Sequence, residues 1–162
     1  MRALIACFGN LLRGDDGFGP AVAALLLEHG VPDGVQVLDA GIGGIHLVHE
    51  LHEPTGVLIV VDATSRGRAP GTVFVMRPDV LDLSTRSPAE QRDQLADVHY
   101  ATPERALMLA AALGLLPEET WLVGCEPFDA ERVGQGLSPP VTAALEIARR
   151  EIHQVLEDCA RN

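Results

Sequence analysis

Acidic side chains stand directly behind the apolar runs of this sequence. Behind the run 2–8 comes Gly9-Asn10-Leu11-Leu12-Arg13-Gly14-Asp15-Asp16-Gly17-Phe18-Gly19. Asp39-Ala40-Gly41-Ile42-Gly43-Gly44 follows the run 35–38, Asp62 ends the run 57–61, and Cys125-Glu126-Pro127 follows 120–124. In open α/β sheets, ligands bind outside the carboxyl ends of the strands, so these acids are the first candidates for chemistry. A carboxylate in such a crevice can ligate a metal or act as general base. His99 lies just before Thr102-Pro103-Glu104, a helix start. Beside two carboxylates it would complete an N,O,O donor set suited to a divalent transition metal such as nickel or zinc.

Other chemistries fit less well. The glycines of 9–19 could cradle a phosphate. However, the segment is neither GxGxxG nor a P-loop, it carries no Lys, and Asp15-Asp16 would repel the ligand. One of these two acids suits a structural role, capping the helix that follows. His46, His49, Glu50 and Glu53 share one helical face, a spacing that can bind metal. None sits at a strand end and the pattern is not HExxH, so a solvated face beside Leu47, Val48 and Leu51 is expected. Cys7 and Cys125 end strands and read as small buried hydrophobes. Ser65, Ser84, Ser87 and Ser138 lack a nucleophile elbow, and Ser138 reads as a helix cap.

The elements that must position these residues follow from periodicity. Strands are expected at 2–8, 35–38, 57–61, 72–76 and 120–124. Helices are expected at 18–29, at 45–51, from Thr102 to near Gly114, and from Ser138-Pro139-Pro140 onward. The last carries the stripe Val141, Leu145, Ala148, Ile152, Val155, Cys159. Residues 77–98 read as loop with at most a short helix. This alternation implies an α/β fold with a mostly parallel sheet covered on both faces. The gap between the third and fourth strands is too short for a crossover helix, so that pair is expected to be antiparallel, with the fourth strand at an edge. Residues 1–162 read as a single domain without repeats or linkers.

Composition narrows the partners. All 12 basic residues are Arg, against 23 acidic residues, for a net charge of −11. That balance disfavours nucleic acid and anionic membrane. No apolar run approaches the roughly 20 residues of a membrane helix, and the first run is too short for a secretory segment. Three scattered cysteines form no disulfide framework and no zinc pair, which points to the cytoplasm.

Taken together, residues 9–19, Asp39-Ala40-Gly41 through Gly44, Val60-Val61-Asp62-Ala63, His99 with its Leu/Ala-rich helix, Gly124-Cys125-Glu126-Pro127 and Gly134-Gln135-Gly136-Leu137-Ser138-Pro139 resemble, in order, the hydrogenase maturation proteases. The resemblance implies a three-layer α/β/α fold around a five-stranded, mostly parallel twisted sheet with one antiparallel edge strand. It also implies an endopeptidase that removes the C-terminal extension of a nickel–iron hydrogenase large-subunit precursor after nickel insertion. By motif position the metal contacts fall on Asp16, Asp62 and His99, with Asp16 and Asp62 the candidates for catalysis. Asp39, Gly41 and Gly44 become candidates for substrate binding. The nickel would be carried by the substrate, and other divalent metals could occupy the site. The first-loop acid of the family is often Glu, where this chain has the shorter Asp16, and Ile42 stands where the family often has Thr. The alternatives are a non-proteolytic nickel-binding assembly chaperone using the same ligands, and a nucleotide-binding module.

Overall fold

The computed structural model describes residues 2–96 and 102–161. Among them, five strands form one sheet: β1 (Ala3–Phe8), β2 (Val35–Gly41), β3 (Val57–Ala63), β4 (Val73–Met76) and β5 (Glu119–Cys125). The helices are α1 (Phe18–His29), α2 (Gly44–Glu50), α3 (Pro88–Ala96), α4 (Pro103–Ala112) and α5 (Pro139–Arg161). The spatial order is β2-β1-β3-β5-β4. β1, β2, β3 and β5 run parallel, and β4 pairs antiparallel with β5 at the edge.

Side-chain alternation along the strands divides the core in two. Ala3, Ile5 and Cys7 of β1 pack with Val57, Ile59 and Val61 of β3 under α1 and α5. Leu4, Ala6 and Phe8 face the other way, with Leu58 and Val60, under Leu47 of α2 and Leu107 of α4. Every residue of β1 is buried, as expected of a strand covered on both faces. The result is the three-layer arrangement expected from the alternating pattern.

Three sequence expectations change. β4 is the antiparallel edge strand, but its partner is β5 rather than β3. Residues 64–72 span the extra strand spacing, roughly 5 Å, and β5 enters between them parallel to β3. Within 77–98, residues 88–96 form a nine-residue helix instead of a short one at most. Ser87 starts it: its Oγ accepts the Glu90 N–H while Glu90 accepts the Ser87 N–H, a reciprocal capping box. Finally, β2 extends past Asp39 to Gly41.

The strand order places a topological switch between β1 and β3. The chain leaves β1 over one face through α1 to β2, and returns over the other face through α2 to β3. The crevice so created lies at the carboxyl ends of β1 and β3.

Candidate functional site

The segment behind β1 turns sharply to enter α1. Gly9 has φ 137°, and a Cβ there would lie 1.9 Å from the Asp16 carbonyl oxygen. A Cβ on Gly19 would lie 1.9 Å from the Phe8 carbonyl oxygen. Only glycine permits both approaches. Residues 14–17 form a single 3-10 turn, which packs against β3. The Asn10 N–H donates to the Asp16 carbonyl at 3.1 Å and to Asp16 Oδ2 at 3.0 Å. Asp16 is thereby held, partly exposed, at the crevice.

Asp15 and Asp16 part company here. Asp15 is 1% exposed. Its Oδ2 accepts the N–H groups of Phe128 and Asp129 at 2.9 Å each and the Ser138 hydroxyl at 2.8 Å, and its Oδ1 accepts the Ser138 N–H at 2.7 Å. Burial opposes its ionisation, but the hydrogen bonds from Asp129, Ser138 and Phe128 outweigh burial and hold the carboxyl below the usual carboxylate range. Asp15 therefore ties the first loop to the segment before α5. Neither acid caps α1, whose N-cap is Gly17. Ser138 stands just before α5, yet its hydroxyl serves Asp15 rather than the helix end. Thr102 precedes α4 without a side-chain cap, and Pro103 opens that helix, at the start expected for it.

Asp62 sits at the end of β3, opposite Gly124 of β5. It lines a small cavity of about 90 Å³ with Thr64, Arg66, Asp79, Glu104 and Leu107. Its pKa is pushed up to about 8, first by burial, then by the charges of Asp16 and Glu104, against one backbone hydrogen bond from Ala63. The fold thus brings Asp16 and Asp62 within mutual electrostatic reach, at the crevice the strand order creates. His99 lies outside the described residues. Among the described residues, no three His, Cys, Asp or Glu side chains are grouped so as to hold a metal ion.

Glu104 was not singled out from sequence. It carries the second negative charge facing Asp62, after Asp16, from the first turn of α4. The available signal was its place five residues after His99, at the start of a helix that must begin near the same rim.

The remaining candidates lie elsewhere. Asp39 is exposed, and its Oδ1 accepts the Gly41 N–H at 3.1 Å. Asp39 and Gly41 line an open depression with Gly9, Asn10, Leu11 and Ile42, on the other side of β1 from Asp62. Gly44 is buried at the start of α2. Glu126 is 6% exposed and accepts the Arg66 N–H at 2.7 Å, fastening the segment between β3 and β4. On the helical face around α2, Glu50 is engaged by Arg2 at 2.9 Å and Gln36 at 3.0 Å. Burial, and then Asp39, drive the Cys7 thiol far above its ordinary range. Burial, then Asp15 and Glu126, push Cys125 up to about 12. Neither thiol is a nucleophile near neutral pH. A cavity of about 600 Å³ lies at the opposite end of the sheet, between the starts of β1, β2 and β3 and the end of α5. No candidate residue lines it.

Comparison with known proteins agrees with this geometry. Residues 20–155 match the family model described as hydrogenase maturation protease. The chain is 40% identical over 146 residues to the hydrogenase expression/formation protein HupM of Azotobacter chroococcum, covering 90% of this chain and 66% of that one. It is 38% identical to HoxM of Azotobacter vinelandii, covering 91% and 68%. The chain thus spans about two thirds of the length of these relatives. Among solved structures, the hydrogenase maturating endopeptidase HybD of E. coli superposes with a TM-score of 0.75 at 31% identity, over 98% of this chain and 93% of that one. A hydrogenase 2 maturation peptidase from a Thaumarchaeota archaeon gives 0.68 at 33% identity, over 96% and 98%. The chain belongs to the hydrogenase maturation protease family.

Proposed function

We propose that this protein is the endopeptidase that removes the C-terminal extension of a nickel–iron hydrogenase large-subunit precursor once nickel has been inserted. Family membership supports peptide-bond hydrolysis in hydrogenase maturation. The observation that carries the finer reading is the pairing of Asp62 with Asp16 at the switch crevice. The Asp16 charge raises the cost of ionising Asp62, and a divalent metal beside such a pair of carboxylates would lower that cost. The donor set fits: two carboxylate oxygens, with His99 supplying nitrogen, suit nickel or another borderline divalent ion.

In this reading the nickel is substrate. Held by the precursor, it would be recognised by Asp16, Asp62 and His99, so that only a loaded precursor is seated. Seating places the bond to be cut against the crevice, which is catalysis by proximity. Asp16 and Asp62 are the candidates for catalysis: Asp62, with its pKa pushed up to about 8, can release and take up a proton near neutral pH. Asp39 and Gly41 line the neighbouring depression and would contact the substrate chain; Gly44 would act at most through the loop it closes. The site of action is the cytoplasm, consistent with three unpaired cysteines. No helix among the described residues is long and apolar enough to cross a membrane.

Incubation with nickel-loaded and nickel-free precursor tests the assignment. The loaded precursor alone should lose a C-terminal segment, read by intact mass. A stable complex without cleavage would favour the non-proteolytic assembly chaperone.

A further inference from the structure

Six large apolar side chains stand exposed around the carboxyl end of the sheet, five on loops and Ile45 in the first turn of α2: Leu11 51%, Leu12 58%, Ile42 71%, Ile45 42%, Phe128 71% and Val133 89%. Elsewhere the exposed large apolar residues described are scattered singly, as on α1 (Leu27) and after α4 (Leu113). Isolated exposure is ordinary, whereas a gathered apolar surface marks an interaction site.

The five loop residues are brought together by the backbone. Leu11 and Ile42 line the same depression. The Gly134 N–H donates to the Leu12 carbonyl at 2.8 Å, and Arg13 bridges to Gly134, which sets Val133 beside Leu12. Phe128 and Val133 flank a tight turn in which Asp129 Oδ1 accepts the N–H groups of Glu131 and Arg132 at 3.0 Å each. Asp15 anchors that turn from beneath, and Arg13 pairs with Glu131 across it. The exposed side chains are therefore presented on a fastened support, so ordering them on binding costs little.

We infer that this apolar collar is the docking surface for the precursor, and that it takes an apolar segment adjacent to the bond to be cut. The inference rests on the proposed function for the identity of the partner. The collar is continuous with the candidate site: Leu11 and Leu12 belong to the same nine-residue loop, 9–17, as Asp16. Phe128, at 71% exposure, is the aromatic anchor such a surface requires. The acids interspersed with it, Asp16, Asp39 and Asp129, favour basic residues flanking that segment. Docking on loops around the site, instead of one deep pocket, suits a protein substrate that must be released after a single cut.

The test measures affinity for nickel-loaded precursor by biolayer interferometry, separately from cleavage. The double variant Phe128→Asp/Val133→Asp should bind at least tenfold more weakly than the unaltered protein, with the same thermal midpoint. Phe128→Leu/Val133→Ile should retain binding, and Leu27→Asp/Leu113→Asp should bind normally. Equal affinity of the aspartate double variant and the unaltered protein would overturn the docking surface. If the unaltered protein binds without cutting, the protease reading fails while the affinity comparison still decides the surface. If it does not bind the precursor at all, both fail.

Discussion

Asp15 and Asp62 stand at the same end of the sheet and show two opposite uses of a carboxylate. Asp15 is 1% exposed, yet four donors hold it ionised, and its pKa falls. Asp62 is pushed the other way, first by burial and then by the charges of two further acids, Asp16 and Glu104, with one backbone donor in return, and its pKa rises to about 8. The first arrangement is complete within the chain. The second is incomplete without a proton or a cation. Burial raises the cost of ionisation in both, and a carboxylate's role thus follows from whether its partners offset that cost.

The largest effect that tests this contrast is on folding. Asp15→Ala removes the acceptor for four hydrogen bonds and leaves buried donors behind. At ~1–3 kcal/mol for a buried group left unpaired, the variant should lose about 3 kcal/mol, read from the urea midpoint. The sign of its pH dependence is fixed by the lowered pKa. The Asp15 contribution is present above the ordinary carboxylate range and is lost as pH falls through the folded value. Acid should therefore narrow the gap between the variant and the unaltered protein.

Asp62 should behave in the opposite way. Its pKa rises from 3.8 to about 8 on folding, so the folded state binds more protons between those values and stability falls as pH rises through that window. Asp62→Asn lacks this dependence. The stability of the variant relative to the unaltered protein should therefore grow from pH 4 to pH 8, measured by thermal midpoints. A constant difference would remove the electrostatic contrast with Asp15. The smallest effect is that of Glu104→Gln, which removes the third-ranked cause. It should lower the Asp62 pKa, read by carboxyl NMR titration, while the fold is unchanged.

The same contrast explains what the sequence could reveal. The layers were legible because Ala3–Phe8 and Val57–Val61 are apolar throughout, a pattern that demands cover on both faces. Asp62 was legible because it directly ends such a strand. The separation of Asp15 from Asp16 was not: the two are neighbours of one residue type, and what distinguishes them lies 113 to 123 residues away, at Phe128, Asp129 and Ser138. The insertion of β5 between β3 and β4 was hidden for a similar reason, since pairing of distant strands leaves no local pattern. Glu104 read only as the first turn of a helix, because the acid it faces is 42 residues earlier. The collar was hidden because Phe128 and Val133 look like ordinary apolar residues until their exposure is known.

The central claim is that Asp16, Asp62 and His99 act together on a nickel-loaded precursor. It is tested most directly by an intact-mass time course of that precursor with the unaltered protein and with Asp16→Ala, Asp62→Ala and His99→Ala, each checked for folding by circular dichroism. The unaltered protein should shorten the loaded precursor, and each folded variant should leave it at full length. Processing at the unaltered rate by the folded variants would contradict it.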